Sequence, residues 1–135
     1  MGSQIVERIA FILLEYISAI DDAKLVLALA QSSDEREVER IESKILRLRE
    51  LRRGLGESID SLIVMIGGEA ELDEEVASDL SSLLNYYLIV AYNDEREILE
   101  YASSFIDVSR DLEELRGFKN KIERVLEKVS EAPRV

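Results

Sequence analysis

The chain has 135 residues, a length that predicts a single domain, and apolar residues make up 47% of it, which is enough to build a core. Its 17 basic and 29 acidic side chains leave a net charge of −12, which repels the phosphates of nucleic acids and anionic lipids. The absence of cysteine and histidine excludes thiolate nucleophiles, zinc-thiolate sites and the commonest general base. We therefore expect no enzymatic activity, no cofactor and no metal.

The beginning of the chain has no basic leader, and its first apolar run, from Ile9 to Leu14, ends at Glu15. A membrane-spanning helix needs about 20 apolar residues, so no span is predicted. Together with the absence of cysteine, this pattern indicates a cytoplasmic protein. The high content of Glu and Arg and the low content of Met are typical of thermostable proteins from thermophiles and of engineered bundles, and both origins stay open.

Glycine, serine and asparagine residues divide the chain into four segments, since the only proline is Pro133. The boundaries at 31–33, 67–68 and 93 each precede acidic residues, which stabilise the first turn of a helix. This punctuation predicts four helices, over residues 4–30, 34–66, 72–92 and 94–130. Because short connections place consecutive helices antiparallel, we expect an all-α, antiparallel up-down-up-down four-helix bundle with short loops, in one domain of residues 1–135.

The second and fourth predicted helices each carry an apolar seam with heptad spacing, and one polar residue interrupts each seam. These residues are Arg52 and Lys119. Such a residue either fixes the register of the bundle or extends its charge into solvent at the bundle edge, and the second interpretation is favoured. Gly54 and Gly56 are candidate bends in the second helix, and Gly117 is a candidate break in the fourth. The third helix is the shortest of the four, which leaves one end of the bundle thinly covered.

The first and third predicted helices carry more apolar residues than one buried face requires. If Val6, Ile9, Leu13, Ile20 and Leu27 face the core, the helical period places other apolar residues on the opposite side. The residues that fall on the outer side of the two helices are Phe11, Leu29, Ile89 and Tyr92. Either these helices are deeply buried or self-associate, or their surface is a groove for an amphipathic or extended segment of another protein.

Two charged clusters are interpreted as parts of solvated helices. The acidic residues between 69 and 75 lack the spacing and central glycine of a calcium loop, and they place negative charge at the start of a helix. The basic residues between 36 and 53 alternate with glutamates, which is typical of ion pairs along one helix. Neither cluster predicts a metal site or a nucleic-acid site.

The stretch 76–87, in which leucines precede an aromatic-rich turn, resembles the third helix of the flagellin export chaperones. Asn93-Asp94, followed by Ile98-Leu99-Glu100 and Arg110-Asp111, is similar to the last helix of that family. The resemblance, mainly over residues 72–115, implies a small acidic cytoplasmic bundle that holds an aggregation-prone terminal segment of a secreted subunit in an apolar groove until export. The contacts that it implies are Phe11, Leu84, Leu88, Ile89 and Tyr92.

We therefore expect a protein-interaction module, a chaperone or adaptor that binds an apolar segment of a partner protein through the first and third helices. The alternative is a homo-oligomeric structural bundle without a client. Neither a nucleic acid nor a membrane is expected as a partner. The candidate partner-binding residues are Phe11, Leu29, Leu84, Leu88, Ile89 and Tyr92.

Overall fold

The computed structural model of the protein describes residues 2–30, 34–68 and 71–134. Its elements are α1 (Gly2–Leu29), α2 (Glu35–Gly67), α3 (Glu74–Tyr86), a π-helical segment (Tyr87–Ala91), α4 (Tyr92–Ala102) and α5 (Ser109–Glu131). Because α3, the π-helical segment and α4 follow one another without a break, we call residues 74–102 the third helix. The predicted all-α four-helix bundle is confirmed. The predicted stop at 31–33 and the acidic residue Glu69 lie outside the described residues.

The helix boundary predicted at Asn93 is wrong, because the chain stays helical there. The side-chain amide of Asn93 donates to the backbone carbonyl oxygen of Ile89 at 2.8 Å, so this side chain does not cap a new helix. The break lies instead between Ala102 and Ser109. The third helix therefore extends well beyond the predicted end at residue 92 and is not the shortest, so it does not leave one end of the bundle thinly covered.

The same tetrapeptide, Asp-Glu-Arg-Glu, has different roles at its two positions. At 34–37 it starts α2, where the carboxylate of Asp34 accepts a hydrogen bond from the backbone N–H of Glu37 at 3.0 Å. At 94–97 it lies inside the third helix, and Glu95 is buried. The difference arises because Glu95 has partners on other helices, which a local capping signal does not reveal.

The three glycine residues considered as bends or breaks inside helices do not interrupt them. Helix α2 is continuous through Gly54 and Gly56, and α5 is continuous through Gly117, so the break considered at Gly117 is wrong. A Cβ atom at Gly56 would lie 3.5 Å from the ring of Phe118 on α5, which is ordinary van der Waals contact. This position therefore marks a close approach between α2 and α5.

Consecutive helices run in opposite directions, as predicted, but the second and third helices are not neighbours. Helix α1 packs against α2 and the third helix, and α5 packs against the same two, so α2 and the third helix lie diagonally opposite. Helices α2 and α5 are consequently parallel neighbours, joined in the same order along both by Arg49 with Asp111 and by Asp60 with Lys121. Helix α1 and the third helix are also parallel neighbours.

The core lies along the bundle axis and contains the predicted inward residues of α1. Ile9, Leu13, Ile20 and Leu27 are all buried, whereas Val6 is only partly buried and packs against the same core. At the centre, the rings of Tyr16 and Tyr87 meet edge to face, with 6.3 Å between their centroids. The ring of Tyr87 meets that of Phe118 in the same way at 5.2 Å, so that three helices contribute to one aromatic group.

The π-helical segment changes which side of the third helix faces the core. A π turn is wider than an α turn and holds about one more residue, so the residues after it are rotated relative to a regular α-helix. As a result Tyr92, predicted on the outside, is buried, with the Lys119 ammonium 5.1 Å from its ring centroid. Ile89, inside the segment, stays exposed as predicted.

Amide hydrogen exchange tests the corrected boundary of the third helix. Residues 92–98 are expected to exchange slowly, because their N–H groups lie inside a continuous helix packed on the core. Residues 107–111, at the break and in the first turn of α5, are expected to exchange much faster. Fast exchange at residues 93–96 would show that a helix does start there and would contradict the structure.

Candidate functional site

A buried group of charges joins the four helices, near the middle of α1 and α2 and at the start of α5. The guanidinium of Arg52 on α2 donates to Oε1 of Glu95 at 2.9 Å, to Oδ1 of Asp111 at 2.8 Å and to Oε2 of Glu114 at 3.2 Å. The hydroxyl of Tyr16 on α1 donates to the same oxygen of Glu95 at 2.5 Å. We call these five residues the Arg52 cluster. It receives at least one side chain from every helix of the bundle.

The favoured interpretation of Arg52, a side chain extended into solvent, is wrong. Its side chain is only 3% exposed, because the continuous third helix places Glu95 opposite it and α5 supplies two further carboxylates. Lys119, the second polar residue of the apolar seams, does lie at the edge, half exposed and 3.6 Å from Glu123. A polar residue in a seam is thus buried or exposed according to the helix that faces it.

The two buried carboxylates of the cluster are shifted in opposite directions. Burial raises the pKa of Glu95 and outweighs the hydrogen bonds from Arg52 and Tyr16, since the Oε2 atom of Glu95 has no partner among the described residues. Burial alone would raise the pKa of Asp111 as well, but the hydrogen bonds from Arg49 and Arg52 outweigh it and lower that pKa. Asp111 is therefore the firmly ionised partner of Arg52.

The Arg52 cluster is a structural element and not a substrate pocket. The side chains of Arg52 and Glu95 are 3% and 0% exposed, so that no small molecule reaches them in this conformation. Burial and the charge of Glu95 also raise the pKa of Tyr16, so its hydroxyl keeps its proton and remains a donor. Shifted pKa values in a closed network of this kind report ion pairing.

The most distinctive surface of the molecule is an apolar row on α1. Nine large apolar side chains are exposed among the described residues, and four of them, 60–67% exposed, occupy one side of this helix. With the two polar residues between them, they form what we call the outer face of α1, at steps of three or four positions. The outer face comprises Phe11, Leu14, Ser18, Asp22, Leu25 and Leu29.

The predicted partner-binding residues divide between this surface and the core. Phe11 and Leu29 lie on the outer face of α1, Ile89 is exposed on the third helix, and Leu88 is half-buried. Leu84 and Tyr92 are buried in the core, so the prediction that they contact a partner is wrong, since neither offers a surface. The predicted exposure of Tyr92 is wrong because the π-helical turn before it rotates this residue inward. The predicted partner contact of Leu84 is wrong because Leu84 lies on the core-facing side of α3.

Sequence reasoning missed Leu14 and Leu25, which complete the outer face. Both are at least 60% exposed and lie on the same side of α1 as Phe11 and Leu29. The signal was present as a row at positions 11, 14, 18, 22, 25 and 29. It was obscured because almost every position between Ile9 and Ala30 is apolar, so two seams overlap on one helix.

A polar groove borders the outer face on the side of α2. One part, of about 400 Å³, is lined by Glu15 and Ser18 from α1 and by Lys44 and Arg47 from α2, among others. A second part, of about 430 Å³, shares Asp22 and Lys44 with the first and adds Leu25 and Arg40. Acidic side chains thus line the α1 wall and basic side chains the α2 wall.

A smaller and more apolar recess lies between α1 and α4. Its volume is about 310 Å³, and its lining includes Leu27, Ala28, Ile98 and the half-exposed ring of Tyr101. Lys24, at its edge, forms an ion pair of 3.0 Å with Asp94. The recess is too small for a protein segment of several residues, and it has few polar groups with which to orient a small molecule.

Two further features do not occur among the described residues. In residues 2–30, 34–68 and 71–134, no group of three or more histidine, cysteine, aspartate or glutamate side chains is placed to hold a metal ion. None of the helices in these ranges is both long and apolar enough to cross a membrane. The outer face of α1 and its bordering groove therefore form the candidate site.

Comparison of the chain with protein-family models, with curated proteins and with solved structures finds no match. The resemblance to the flagellin export chaperones accordingly stays a prediction.

Removing the charge of Arg52 is expected to destabilise the bundle strongly. Arg52→Met leaves Glu95 buried without a cation and should lower the free energy of unfolding by about 3–5 kcal/mol. Arg53→Met is the matched control, since the Arg53 side chain is 58% exposed and pairs with Glu114 at 3.2 Å, and it should cost about 1 kcal/mol or less. Urea unfolding measures both. Equal effects of the two substitutions would show that the cluster does not hold the helices together.

The opposite pKa shifts predict opposite changes in acid stability. The carboxyl group of an unfolded Glu titrates at about pH 4.3. The pKa of native Glu95 is higher, so its contribution to stability is fully present below about pH 4.3 and is lost as the pH rises through the native pKa. Asp111 contributes stability at neutral pH that is lost on acidification below about pH 3.9. Glu95→Gln should therefore lose stability more steeply than the wild type on acidification, and Asp111→Asn less steeply.

Thermal unfolding at a series of pH values measures these slopes. Because the two substitutions act at neighbouring positions of one cluster, each serves as the control for the other. Parallel pH profiles for the wild type and Glu95→Gln would contradict the raised pKa of Glu95.

Proposed function

We propose that the protein is a non-enzymatic interaction module, an adaptor that binds an amphipathic helix of a protein partner along the outer face of α1. The observation that carries the proposal is the row of four apolar side chains that stay 60–67% exposed. Single exposed apolar residues are ordinary, but two exposed apolar pairs on the same side of one helix, Phe11 with Leu14 and Leu25 with Leu29, are typical of an interaction surface. Covering it would contribute roughly 25 cal/mol for each Å² of apolar surface removed from water.

The shape of the surface favours a helix as the bound segment. An extended segment binds best to the free edge of a sheet, and the described residues form no sheet to which it could add. Steps of three and four positions match the spacing at which one helix contacts another. From Phe11 to Leu29 the outer face is about 27 Å long, at ~1.5 Å per residue, which corresponds to about five turns of a partner helix.

The charges beside the outer face favour a defined orientation of the partner. The bordering groove has carboxylates of Glu15 and Asp22 on one wall and the cations of Arg40, Lys44 and Arg47 on the other. A bound helix would meet these charges with its flanking residues, and opposite signs there select partner and direction more than they add affinity. A partner helix with both acidic and basic flanks fits this border.

The resemblance to the flagellin export chaperones points to a narrower role of the same kind, in which the partner segment is a terminal part of a secreted subunit. The exposed Phe11 and Ile89 support such contacts, whereas the buried Leu84 and Tyr92 do not. The adaptor role depends on the outer face of α1 alone and is the one that we propose.

Binding of a designed amphipathic peptide tests the proposal. The probe is a fluorescent helical peptide of five turns with leucine at its heptad positions and alternating lysine and glutamate elsewhere. The wild type should bind it, and Leu14→Glu combined with Leu25→Glu should weaken binding at least about tenfold, since each buried Leu contributes roughly 1.5–3 kcal/mol. Fluorescence anisotropy at low protein concentration measures the affinity.

Val64→Glu is the matched control, because Val64 is an apolar residue on α2 that is 77% exposed and lies outside the outer face. This variant should bind the peptide as the wild type does. Circular dichroism should show unchanged helix content in every variant. The proposal fails if the double variant binds the peptide as tightly as the control, or if the wild type does not bind it.

A further inference from the structure

We infer that the helix which covers the outer face of α1 is α1 of a second copy of this chain, in an antiparallel pair whose two-fold axis passes near residue 20. The inference rests on the proposed function, because it names the occupant of the same surface. It follows from the order of residues along the outer face, from the position of the two polar residues and from the charges on α2.

The outer face has nearly the same pattern when it is followed from either end. Phe11 and Leu29 lie at equal distances from residue 20, as do Ser18 and Asp22. Leu14 and Leu25 lie at distances that differ by only one position. A surface with this symmetry can contact its own copy through a two-fold axis, which gives a closed dimer and leaves no unpaired surface for further growth.

Antiparallel pairing gives every residue of the outer face a suitable opposite. Phe11 would face Leu29 of the second copy, and Leu14 would face Leu25. At the centre, the hydroxyl of Ser18 would donate to the carboxylate of Asp22 of the second copy, twice by symmetry. A parallel pair would instead place the two Asp22 carboxylates against each other, which is unfavourable. The polar centre therefore selects the antiparallel direction.

The basic residues of α2 supply the second part of the fit. A helix laid on the outer face borders α2 through the polar groove, where Arg40, Lys44 and Arg47 lie. Because Glu15 already pairs with Arg47 of its own chain at 3.6 Å, the carboxylate that helix α1 of a second copy brings to Arg40 and Lys44 is that of Asp22. Since the net charge of each chain is −12, these local pairs offset part of the repulsion between two copies, and salt screens the long-range remainder.

The molar mass in solution tests whether the pair forms. Sedimentation equilibrium at physiological salt, from micromolar to millimolar chain concentration, should show a rise from 15.4 kDa to twice that mass. Leu25→Glu should remove the dimer over the whole range, because it places two carboxylates within the apolar contact. Val64→Glu should dimerise as the wild type does. A dimer that survives Leu25→Glu would place the contact elsewhere and overturn the inference.

Distances between spin labels test the direction of the pair. The chain has no cysteine, so single substitutions Asp21→Cys and Arg8→Cys each give one label, on exposed positions beside the outer face. In the antiparallel pair the two labels at 21 are offset by about 3 Å along the helices, and those at 8 by about 36 Å, at ~1.5 Å per residue. Equal, short separations at both positions would show a parallel pair and overturn the inference.

The inference and the proposed function fail in different ways. If the wild type stays monomeric throughout but still binds the designed peptide through Leu14 and Leu25, the second copy is wrong and the adaptor role stands. If the wild type is monomeric and does not bind the peptide, both are wrong. If it forms the antiparallel dimer, the peptide should compete with the second copy, and added peptide should lower the molar mass towards one chain with bound peptide.

Discussion

The buried charge of Arg52 is the constraint on which the arrangement of the four helices depends. A guanidinium removed from water must have its donors matched by acceptors, since an unpaired buried charge costs several kcal/mol. Arg52 finds these acceptors on the third helix, in Glu95, and on α5, in Asp111 and Glu114. Because side chains from different helices must reach one point, the cluster links the axial positions of those helices. Without the cluster, the heptad seams alone would disfavour an axial shift of one helix by one turn less strongly.

The same cluster determines which side of α1 faces water. The hydroxyl of Tyr16 must point inward to reach Glu95, and this requirement fixes the rotation of α1 about its own axis. Ile9, Leu13 and the neighbouring core residues follow Tyr16 inward, and Phe11 and Leu29 are turned outward. The exposed row is thus a consequence of the buried network, and the proposed interaction surface rests on a rigid support. A site on a packed helix keeps its spacing better than a site on a loop.

Local patterns in the sequence predicted the parts of the fold that local physics controls. The start of α2 at Asp34, the inward residues of α1 and the exposure of Phe11, Leu29 and Ile89 follow from capping and from the helical period. The continuous third helix could not be predicted in this way, because Asn93-Asp94 is a good start signal that is overridden by a partner on another helix. The π-helical turn places Tyr92 inward, and a calculation that assumes a regular 3.6-residue period cannot predict such a turn. The burial of Arg52 depended on the diagonal placement of α2 and the third helix, which is a property of the whole chain.

We propose that the outer face of α1 is open in the single chain and becomes covered by a helix. Methyl NMR with a soluble gadolinium chelate measures this directly, because the chelate broadens only methyl groups that it can approach. At low concentration the methyls of Leu14 and Leu25 should be strongly broadened, and those of Leu13 and Leu27 should not. As the chain concentration or the amount of peptide rises, Leu14 and Leu25 should become protected. Protection of both residues at the lowest concentration, or broadening that neither association nor peptide changes, would contradict this proposal.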